Sequence, residues 1–185
     1  RYKKLYSGSF YQRYVLGKWV ATEGLVYPFM SDEKMLADIP TGEFDRYIVS
    51  CDYGTVNPSS FGLWGLCDGV WYRIDEYYYN SRTEGVSRTD EEHYSGLCEL
   101  IGDRNISKII VDPSAASFIE VIRRHGDYRV IFAKNNVLDG IRRVSTALKQ
   151  GSIIICRNCT DCIREFGMYR WESGGKDTPL KENDH

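Results

Sequence analysis

Three hydrophobic runs near the middle of the chain predict an antiparallel meander. The first run, 47–51, is apolar on both faces and ends at Asp52, as expected for a central strand with a neighbour on each side. Two runs rich in aromatic and β-branched residues follow, on either side of Asp68-Gly69. Because Asp-Gly readily adopts the positive-φ conformations of a tight hairpin turn, these two runs are expected to pair. Asp52 then lies at the tip of the first of three antiparallel strands.

The second half of the chain alternates between helical periodicity and short apolar runs. Thr89 and Glu92 match a capping box and predict a helix over 89–102, whereas the polar segment 80–88 before it is predicted to be a loop. Further helices are predicted at 114–125, 136–150 and 160–171, and strands at 108–111, 128–133 and 152–156. Strands joined by helical crossovers run parallel. The predicted fold class is therefore α/β: a mixed sheet of three antiparallel strands, then parallel strands joined by helical crossovers, with helices on both faces.

Residues 1–45 are predicted to be an entry segment rather than a domain, and 46–185 to be the main domain. Within the entry segment the pattern indicates a helix at 9–19, a short strand at 25–27 and a polar connector at 31–40, anchored by Met35, Leu36 and Ile39. Two glycines within 173–179 predict a mobile loop. A start without an initiator Met, and an end without a helix cap or polar tail, indicate a piece of a longer chain, cut short at its C-terminal end.

Size and composition favour a soluble domain that folds alone. The chain has 185 residues, and its 42% hydrophobic content is enough for a real core. No apolar run approaches the roughly 18 residues that span a bilayer, and no signal-peptide pattern begins the chain. The net charge of −2 excludes an overall basic field of the kind that marks nucleic-acid binders. Any such binding must be local or assisted by metal ions.

Six cysteines without a secretory context are expected to be reduced thiols. Cys156, Cys159 and Cys162 are closely spaced, but soft-metal sites use four thiolate or imidazole ligands, and no fourth candidate follows. We therefore expect these three to be small buried residues at a strand end and a helix start.

Two aspartates that end apolar runs form the main candidate site. Asp52 follows the first strand of the meander, and Asp112 follows the strand at 108–111. If these strands are parallel neighbours, roughly 4.8 Å apart, both carboxylates lie at the edge of the sheet where α/β proteins bind ligands. Adjacent carboxylates repel, so one is protonated or a cation neutralises them. Oxygen ligands favour a hard divalent ion such as Mg²⁺ or Mn²⁺, which retains positions for phosphate oxygens.

Further metal-binding side chains lie near the end of the chain, where Glu182, Asp184 and His185 follow the glycine-containing loop. Two metal ions roughly 4 Å apart bind both the attacking water and the leaving oxygen of a phosphodiester. A site of this kind needs no protein nucleophile, and it makes the chain a candidate nuclease.

Each strand-end aspartate also has a purely structural interpretation. Asp112 precedes Pro113, an order typical of a helix start with aspartate as N-cap and proline at the first helical position. Asp52, before Tyr53-Gly54, has the character of a turn residue.

The remaining polar candidates have simpler interpretations. Glu76 is either a third acid or, as we favour, a solvent-facing residue, and His93 and His125 are expected at the surface and at a helix end. Exposed basic residues are usually just solvated, but several are candidate contacts to a phosphate backbone: Lys134, Arg142, Arg143, Lys149 and Lys176.

Four pieces of the sequence, in this order, resemble the C-terminal nuclease domain of large terminase subunits from tailed bacteriophages or prophages, which has a ribonuclease H-like fold. They are 11–19 with 24–27 after it, the strand end at 51–54, the strand end at 109–114, and 181–185. The resemblance extends over essentially the whole chain.

This resemblance implies a divalent-metal-dependent endonuclease that cuts concatemeric viral double-stranded DNA during genome packaging, with two Mg²⁺ or Mn²⁺ ions. It makes Asp52 and Asp112 the first two metal-binding acids and places Asp184 and His185 in the third motif, with His185 also a catalytic candidate. In the family this motif continues into a helix with another aspartate. The third ligand is therefore His185, Asp184, or missing from the chain.

The resemblance also implies partners: an ATPase domain of the same full-length chain, a small terminase subunit and a portal protein. It implies no membrane and a location in the cytoplasm of the infected bacterial host. No Gly-x-x-x-x-Gly-Lys-Ser/Thr loop occurs in the chain, so this piece is not expected to hydrolyse ATP.

Two other functions compete with the nuclease. The Asp52–Thr55 turn also resembles the phosphate-binding turn of actin-like ATPases and sugar kinases, but those proteins need a duplicated domain and no repeat occurs here. The second is a non-catalytic docking module of the packaging machine, in which the acidic residues serve only as helix caps and turn residues.

Overall fold

Seven strands form one mixed sheet in the computed structural model, which describes residues 24–30, 35–55, 57–172 and 178–180. The strands are β1 (Leu36–Ala37), β2 (Arg46–Asp52), β3 (Ser59–Cys67), β4 (Val70–Tyr79), β5 (Ile106–Val111), β6 (Val130–Phe132) and β7 (Ile153–Cys156). They lie in the order β1-β7-β4-β3-β2-β5-β6. The β2–β3 and β3–β4 pairs are antiparallel and the other four are parallel, so β3 runs against its six companions.

Five helices lie in the described part of the chain, four of them between strands and the fifth after β7. They are α1 (Ser81–Glu84), α2 (Asp90–Ile101), α3 (Ala116–His125), α4 (Val137–Lys149) and α5 (Thr160–Phe166). The predicted capping box begins α2, because the Thr89 hydroxyl accepts from the Glu92 N–H while the Glu92 carboxylate accepts from the Thr89 N–H. The parallel β2, β5 and β6 confirm the predicted crossovers. None of the described helices has the length and apolar content to cross a bilayer.

Helices pack on both faces of the sheet, and alternate residues of β4 contact helices on opposite faces. The Tyr77 and Tyr79 rings lie 5.9 and 5.7 Å from the His93 ring of α2. Tyr78, between them, donates a hydrogen bond of 2.7 Å to Glu165 of α5. Helices therefore cover both faces, and the predicted fold class is confirmed.

A layer of stacked rings fills the space between the sheet and helices α2 and α3. Phe61 of β3 is fully buried and stacks on Tyr77 at 4.9 Å and on Phe118 of α3 at 5.3 Å. Tyr53, directly after β2, stacks on the other side of Phe118 at 4.8 Å. Burial of each such ring contributes about 1.5–3 kcal/mol, so this layer joins the end of β2 firmly to the helices.

Several short elements differ from the sequence prediction. A single helical turn, α1, lies in the predicted loop, because the Asn80 side chain accepts a hydrogen bond from the Arg82 N–H and caps it. Residues 36–37 of the predicted connector form β1 against β7, whereas Ile39, a predicted anchor, is 46% exposed. The predicted helix at 160–171 ends at Phe166.

Near the chain ends, the predicted strand at 25–27 is limited to a bridge from Leu25 to Arg170. At the edge of the predicted mobile loop, Trp171 forms a bridge with Pro179. The predicted helix at 9–19 and the loop residues 173–177 lie outside the described residues. The domain division at residue 45 stays a prediction.

Close packing between α2 and the sheet predicts opposite effects for two Gly-to-Ala substitutions. A Cβ at Gly96 would lie 2.8 Å from Cδ2 of Tyr77, whose ring is held by the stack on Phe61. We expect Gly96→Ala to lower the free energy of unfolding by about 1–3 kcal/mol, since overpacking outweighs the better helix propensity. Gly140→Ala in α4 meets nothing within 4 Å and should raise it by about 0.5–1 kcal/mol. Urea unfolding measures both free energies. Equal changes in the two variants would contradict the close packing at Gly96.

Burial of His93 predicts a loss of stability in mild acid. Its side chain is 3% exposed, so the expectation of a surface histidine is wrong, and burial, with the charge of Arg88, lowers its pKa. The unfolded chain then binds more protons, so stability is complete above the ordinary pKa of about 6.5 and falls as pH drops toward the folded value. The melting temperature should therefore decrease from pH 7.5 to 5, and it should decrease less in His93→Gln. Parallel pH profiles of the two proteins would contradict this assignment.

Candidate metal centre

Residues at the carboxyl ends of β2, β5, β6 and β4 share one edge of the sheet, which we call the Asp edge after Asp52 and Asp112. Cys51 of β2 pairs with Val111 of β5 in parallel register. The next residues, Asp52 and Asp112, therefore begin about 4.8 Å apart along this edge. Asp52 is exposed and Asp112 partly exposed, so a ligand can reach both.

Asp112 is held in its ionised form by the turn that follows it. Its Oδ1 accepts the Ser114 backbone N–H at 2.7 Å, and hydrogen bonds from Ser114, with a further one from Asn135, hold the pKa of this carboxyl below its ordinary value. Helix α3 begins only at Ala116. Asp112 therefore closes a turn ahead of the helix rather than acting as its N-cap, and Pro113 is not its first residue.

The loop after Asp52 has little freedom. Ser59 Oγ accepts the Gly54 N–H at 3.2 Å and donates to the Gly54 carbonyl at 3.0 Å. A Cβ at Gly54 would lie 2.7 Å from the Pro58 carbonyl oxygen, so glycine allows the loop to close this tightly. Tyr53 donates its hydroxyl proton to Asp90. Asp52 therefore lies between the rest of β2 and Tyr53, whose hydroxyl is anchored by Asp90.

The chemistry of these side chains fits a hard divalent cation. Two carboxylates with room for water and substrate phosphate oxygens are a typical protein share of an Mg²⁺ site. Among the described residues, no group of three or more His, Cys, Asp or Glu side chains is placed to hold a metal ion. Asp184 and His185, the predicted further ligands, lie outside the described residues.

The predicted DNA-contacting residues fall in different places. Lys134 follows β6 by two residues and so lies at the Asp edge, next to Asn135. Arg142 and Arg143 lie on α4 about 8 Å or more along the helix from its start, and Arg143 is paired with Asp139 at 2.9 Å. Lys176 lies outside the described residues. Lys149 contacts the Phe29 ring at 4.8 Å.

No protein-family model matches the chain, but individual proteins do. It is 47% identical to the large terminase of a thermophilic bacteriophage, solved with ADP, with a TM-score of 0.83 over 100% of this chain and 48% of that protein. It is 27% identical over 101 residues to the large terminase subunit of Escherichia phage T5, which is 55% of this chain and 23% of that protein. The chain thus spans about half, or less, of these relatives.

Two isolated domains share the fold. The P22 large terminase nuclease domain superposes with a TM-score of 0.66 at 15% identity, over 89% of this chain and 88% of that domain. The large terminase nuclease of phage G20c, solved with bound magnesium, gives 0.59 at 14% identity, over 86% and 87%. The chain is a relative of the large terminases, with the fold of their nuclease domains. The resemblance drawn from the four sequence pieces is confirmed.

In this large-terminase relative, Glu76 is buried beneath α5, so the expectation of a solvent-facing residue is wrong. Its carboxylate accepts the backbone N–H groups of Asp161 and Cys162 at 2.8 and 3.1 Å. It also lies 3.5 Å from the guanidinium of Arg73, and both side chains are about nine-tenths buried. Arg73 and Glu76 share a face because the β3–β4 register shifts at Leu63. Periodicity alone gives no signal for such a bulge.

The terminase fold also buries the cysteine cluster. Cys156, Cys159 and Cys162 lie at the end of β7 and the start of α5, as predicted. Burial raises the pKa of each thiol, to about 11 for Cys156 and Cys162. These thiols are therefore protonated at neutral pH. His125, the predicted helix-end residue, does end α3 and lies 2.9 Å from Glu91.

The buried pair beneath α5 predicts a large loss of stability for a single change. Glu76→Ala removes two acceptors at the helix start and leaves the Arg73 cation buried, and we expect the free energy of unfolding to fall by about 3–5 kcal/mol. Exposed Glu84→Ala should change it by less than about 0.5 kcal/mol. Replacing both partners, Arg73→Met with Glu76→Leu, should recover the part of the loss that comes from the unpaired Arg73 cation. Urea unfolding checks all three, and a loss below about 1 kcal/mol in Glu76→Ala would contradict the role of the pair.

Proposed function

We propose that the chain is the nuclease domain of a large terminase subunit and cuts viral double-stranded DNA during genome packaging. The observation that carries the proposal is the placement of Asp52 and Asp112 side by side at the Asp edge, by parallel pairing of the residues before them. Kinship with the ADP-bound large terminase and with the T5 large terminase supports the packaging role. Concatemer cutting at the start and end of packaging is part of this proposal.

Asp52 and Asp112 are the residues that would hold Mg²⁺ or Mn²⁺, two ions in the active form, with Asp184 and His185 as further ligands. The G20c nuclease has been solved with magnesium and with cobalt, which supports a divalent ion here. When bound, such ions stabilise charge on the phosphate and lower the pKa of an attacking water. The protein itself orients the carboxylates: hydrogen bonds from the Ser114 hydroxyl and N–H lower the pKa of Asp112 and hold its side chain, and the closed Gly54 loop positions Asp52.

The proposed partners follow from the same kinship. They are duplex DNA, an ATPase domain of the same full-length chain, the small terminase subunit and the portal protein, in the cytoplasm of the infected bacterium. The ADP bound to the large terminase that is 47% identical to this chain supports the ATPase partner. Lys134 is the proposed DNA contact at the Asp edge, since it follows β6 beside the acid pair.

Neither competing function explains why Asp52 and Asp112 lie side by side at the Asp edge. A phosphate-binding turn at Asp52 would need backbone N–H groups that face the ligand, but the Gly54 N–H donates to Ser59. A docking module would use Asp112 only as a cap or turn residue; α3 begins three residues beyond Pro113, so Asp112 is a turn residue and not the cap. Binding of a labelled ATP analogue would revive the first of these.

Plasmid cleavage tests the proposal. The 185-residue chain is incubated with supercoiled plasmid and Mn²⁺, Mg²⁺ or EDTA, beside Asp52→Ala, Asp112→Ala and a version of the chain extended past His185. We expect metal-dependent nicking or linearisation that EDTA abolishes and that each aspartate variant lowers by more than about 100-fold, since even residues that only support ligands are worth 10–100-fold. Asp103→Ala, an exposed aspartate in the α2–β5 loop, is the matched control and should cut normally.

Each other outcome has a meaning. Activity in the extended version alone would place the third ligand beyond His185. No cutting by either version, with Asp52→Ala and Asp112→Ala leaving DNA binding and melting temperature unchanged, would overturn the nuclease in favour of the docking module.

A further inference from the structure

We propose that Arg82 and Arg88 bind the sugar-phosphate backbone of duplex DNA on the β4 side of the acid pair. The inference rests on the proposed nuclease function, because it assumes that DNA lies across the Asp edge. It concerns binding, however, and its test needs no cleavage.

Both arginines belong to the segment that leaves the Asp edge after β4. Asp52 pairs with Ser60 of β3, and the neighbouring Ser59 pairs with Tyr79, the last residue of β4. The end of β4 is thus two strand spacings, about 10 Å, from the end of β2. Arg82 follows Tyr79 by three residues and lies in the single turn of α1.

Arg82 forms a hydrogen bond to the loop that follows Asp52. Its guanidinium donates a hydrogen bond of 3.3 Å to Oδ1 of Asn57, in the same loop that the Gly54–Ser59 contacts close. One of the five guanidinium N–H donors is used in this way. The contact fixes an exposed cation beside the candidate site through a neutral partner.

Arg88 is held by aromatic rings and is also exposed. Its guanidinium carbon lies 4.1 Å from the centre of the Tyr79 ring, and it donates to the Tyr77 hydroxyl at 3.0 Å. The Tyr79 hydroxyl donates to the Val86 carbonyl at 2.7 Å, which folds the segment before Arg88 onto the ring. A cation that stacks on a ring loses little conformational entropy on binding a ligand.

Arg82 and Arg88 differ in their partners from three of the other exposed arginines. Among the described residues, Arg124, Arg143 and Arg164 each pair with a carboxylate, whereas no ion pair is formed there by Arg82 or Arg88. The hydrogen bonds from Thr89 are the main cause of the lowered pKa of the Glu92 carboxyl, and the charge of Arg88 is a smaller cause. Arginines that keep their charge and present a planar fork are suited to phosphate.

The spacing along the Asp edge matches a DNA backbone. Lys134 after β6 and Arg82 after β4 are separated by four strand spacings, about 19 Å. At 3.4 Å per nucleotide along the helix axis this corresponds to about five or six nucleotides. The acid pair at β2 and β5 lies between the two cations. A duplex in contact with both cations would therefore pass over the carboxylates.

The salt dependence of DNA binding tests the inference. Fluorescence anisotropy measures binding of a duplex of about 20 base pairs in EDTA, from low to moderate salt, for the wild-type chain and for Arg82→Ala with Arg88→Ala. Each lost phosphate contact should lower the slope of log affinity against log salt by about one. The double variant should therefore lose about two, and Arg82→Ala alone about one. Replacing both by lysine should restore most of the slope.

Arg104→Ala is the matched control, because Arg104 is also exposed, also donates to a neutral oxygen, the Ile101 carbonyl at 3.1 Å, and lies in the loop that enters β5 at the opposite edge. Its slope should equal that of the wild type. An unchanged slope in the double variant, or no measurable wild-type binding at low salt, would overturn the inference. A reduced slope without plasmid cleavage by either the 185-residue chain or the extended version would instead overturn the nuclease and keep the contact. Melting temperatures confirm that each variant is folded.

Discussion

The parallel pairing of Cys51 with Val111 is the constraint on which the candidate site depends. It brings together two aspartates that are 60 positions apart in the sequence, because 112 − 52 = 60. Side chains alternate along a strand, so a slip of one residue would turn the acids to opposite faces. The fully buried Val49 and Ile109, which also pair, hold this register. The hydrophobic core thus determines the geometry of a polar site on its edge.

The two faces of the sheet are held by different interactions, and both stiffen the same edge. On the α2 face, Tyr53 continues from Asp52 into a stack with Phe118, so the core extends to the loop beside the acid. On the α5 face, Glu76 takes the place of a helix cap and is neutralised by Arg73. A buried ion pair contributes little to net stability compared with apolar residues, but it tolerates few alternative partners. Through its carboxylate the pair joins β4 to the first turn of α5.

Sequence patterns located the strands and the acids because both depend on local order. Asp52 and Asp112 follow apolar runs, and Thr89 with Glu92 mark a helix start whatever surrounds them. Properties that arise from distant partners were missed. His93 is buried by rings from β4 and from the residue after β2, and Glu76 by a register shift between β3 and β4. No local sequence pattern encodes the burial of His93 or Glu76. The single turn of α1 was missed because it is too short for helical periodicity to detect.

The net charge of −2 is a poor guide to the proposed DNA contact, because ion pairs within the fold neutralise some of the charged side chains. Arg124, Arg143 and Arg164 are neutralised by carboxylates within the fold, and so contribute little to an external field. Arg82 and Arg88 are instead held by an amide, a hydroxyl and aromatic rings, which position a cation without cancelling it. Since the free energy of binding to DNA depends on how many phosphates are neutralised locally, a few cations held by neutral partners beside the acids matter more than the total charge.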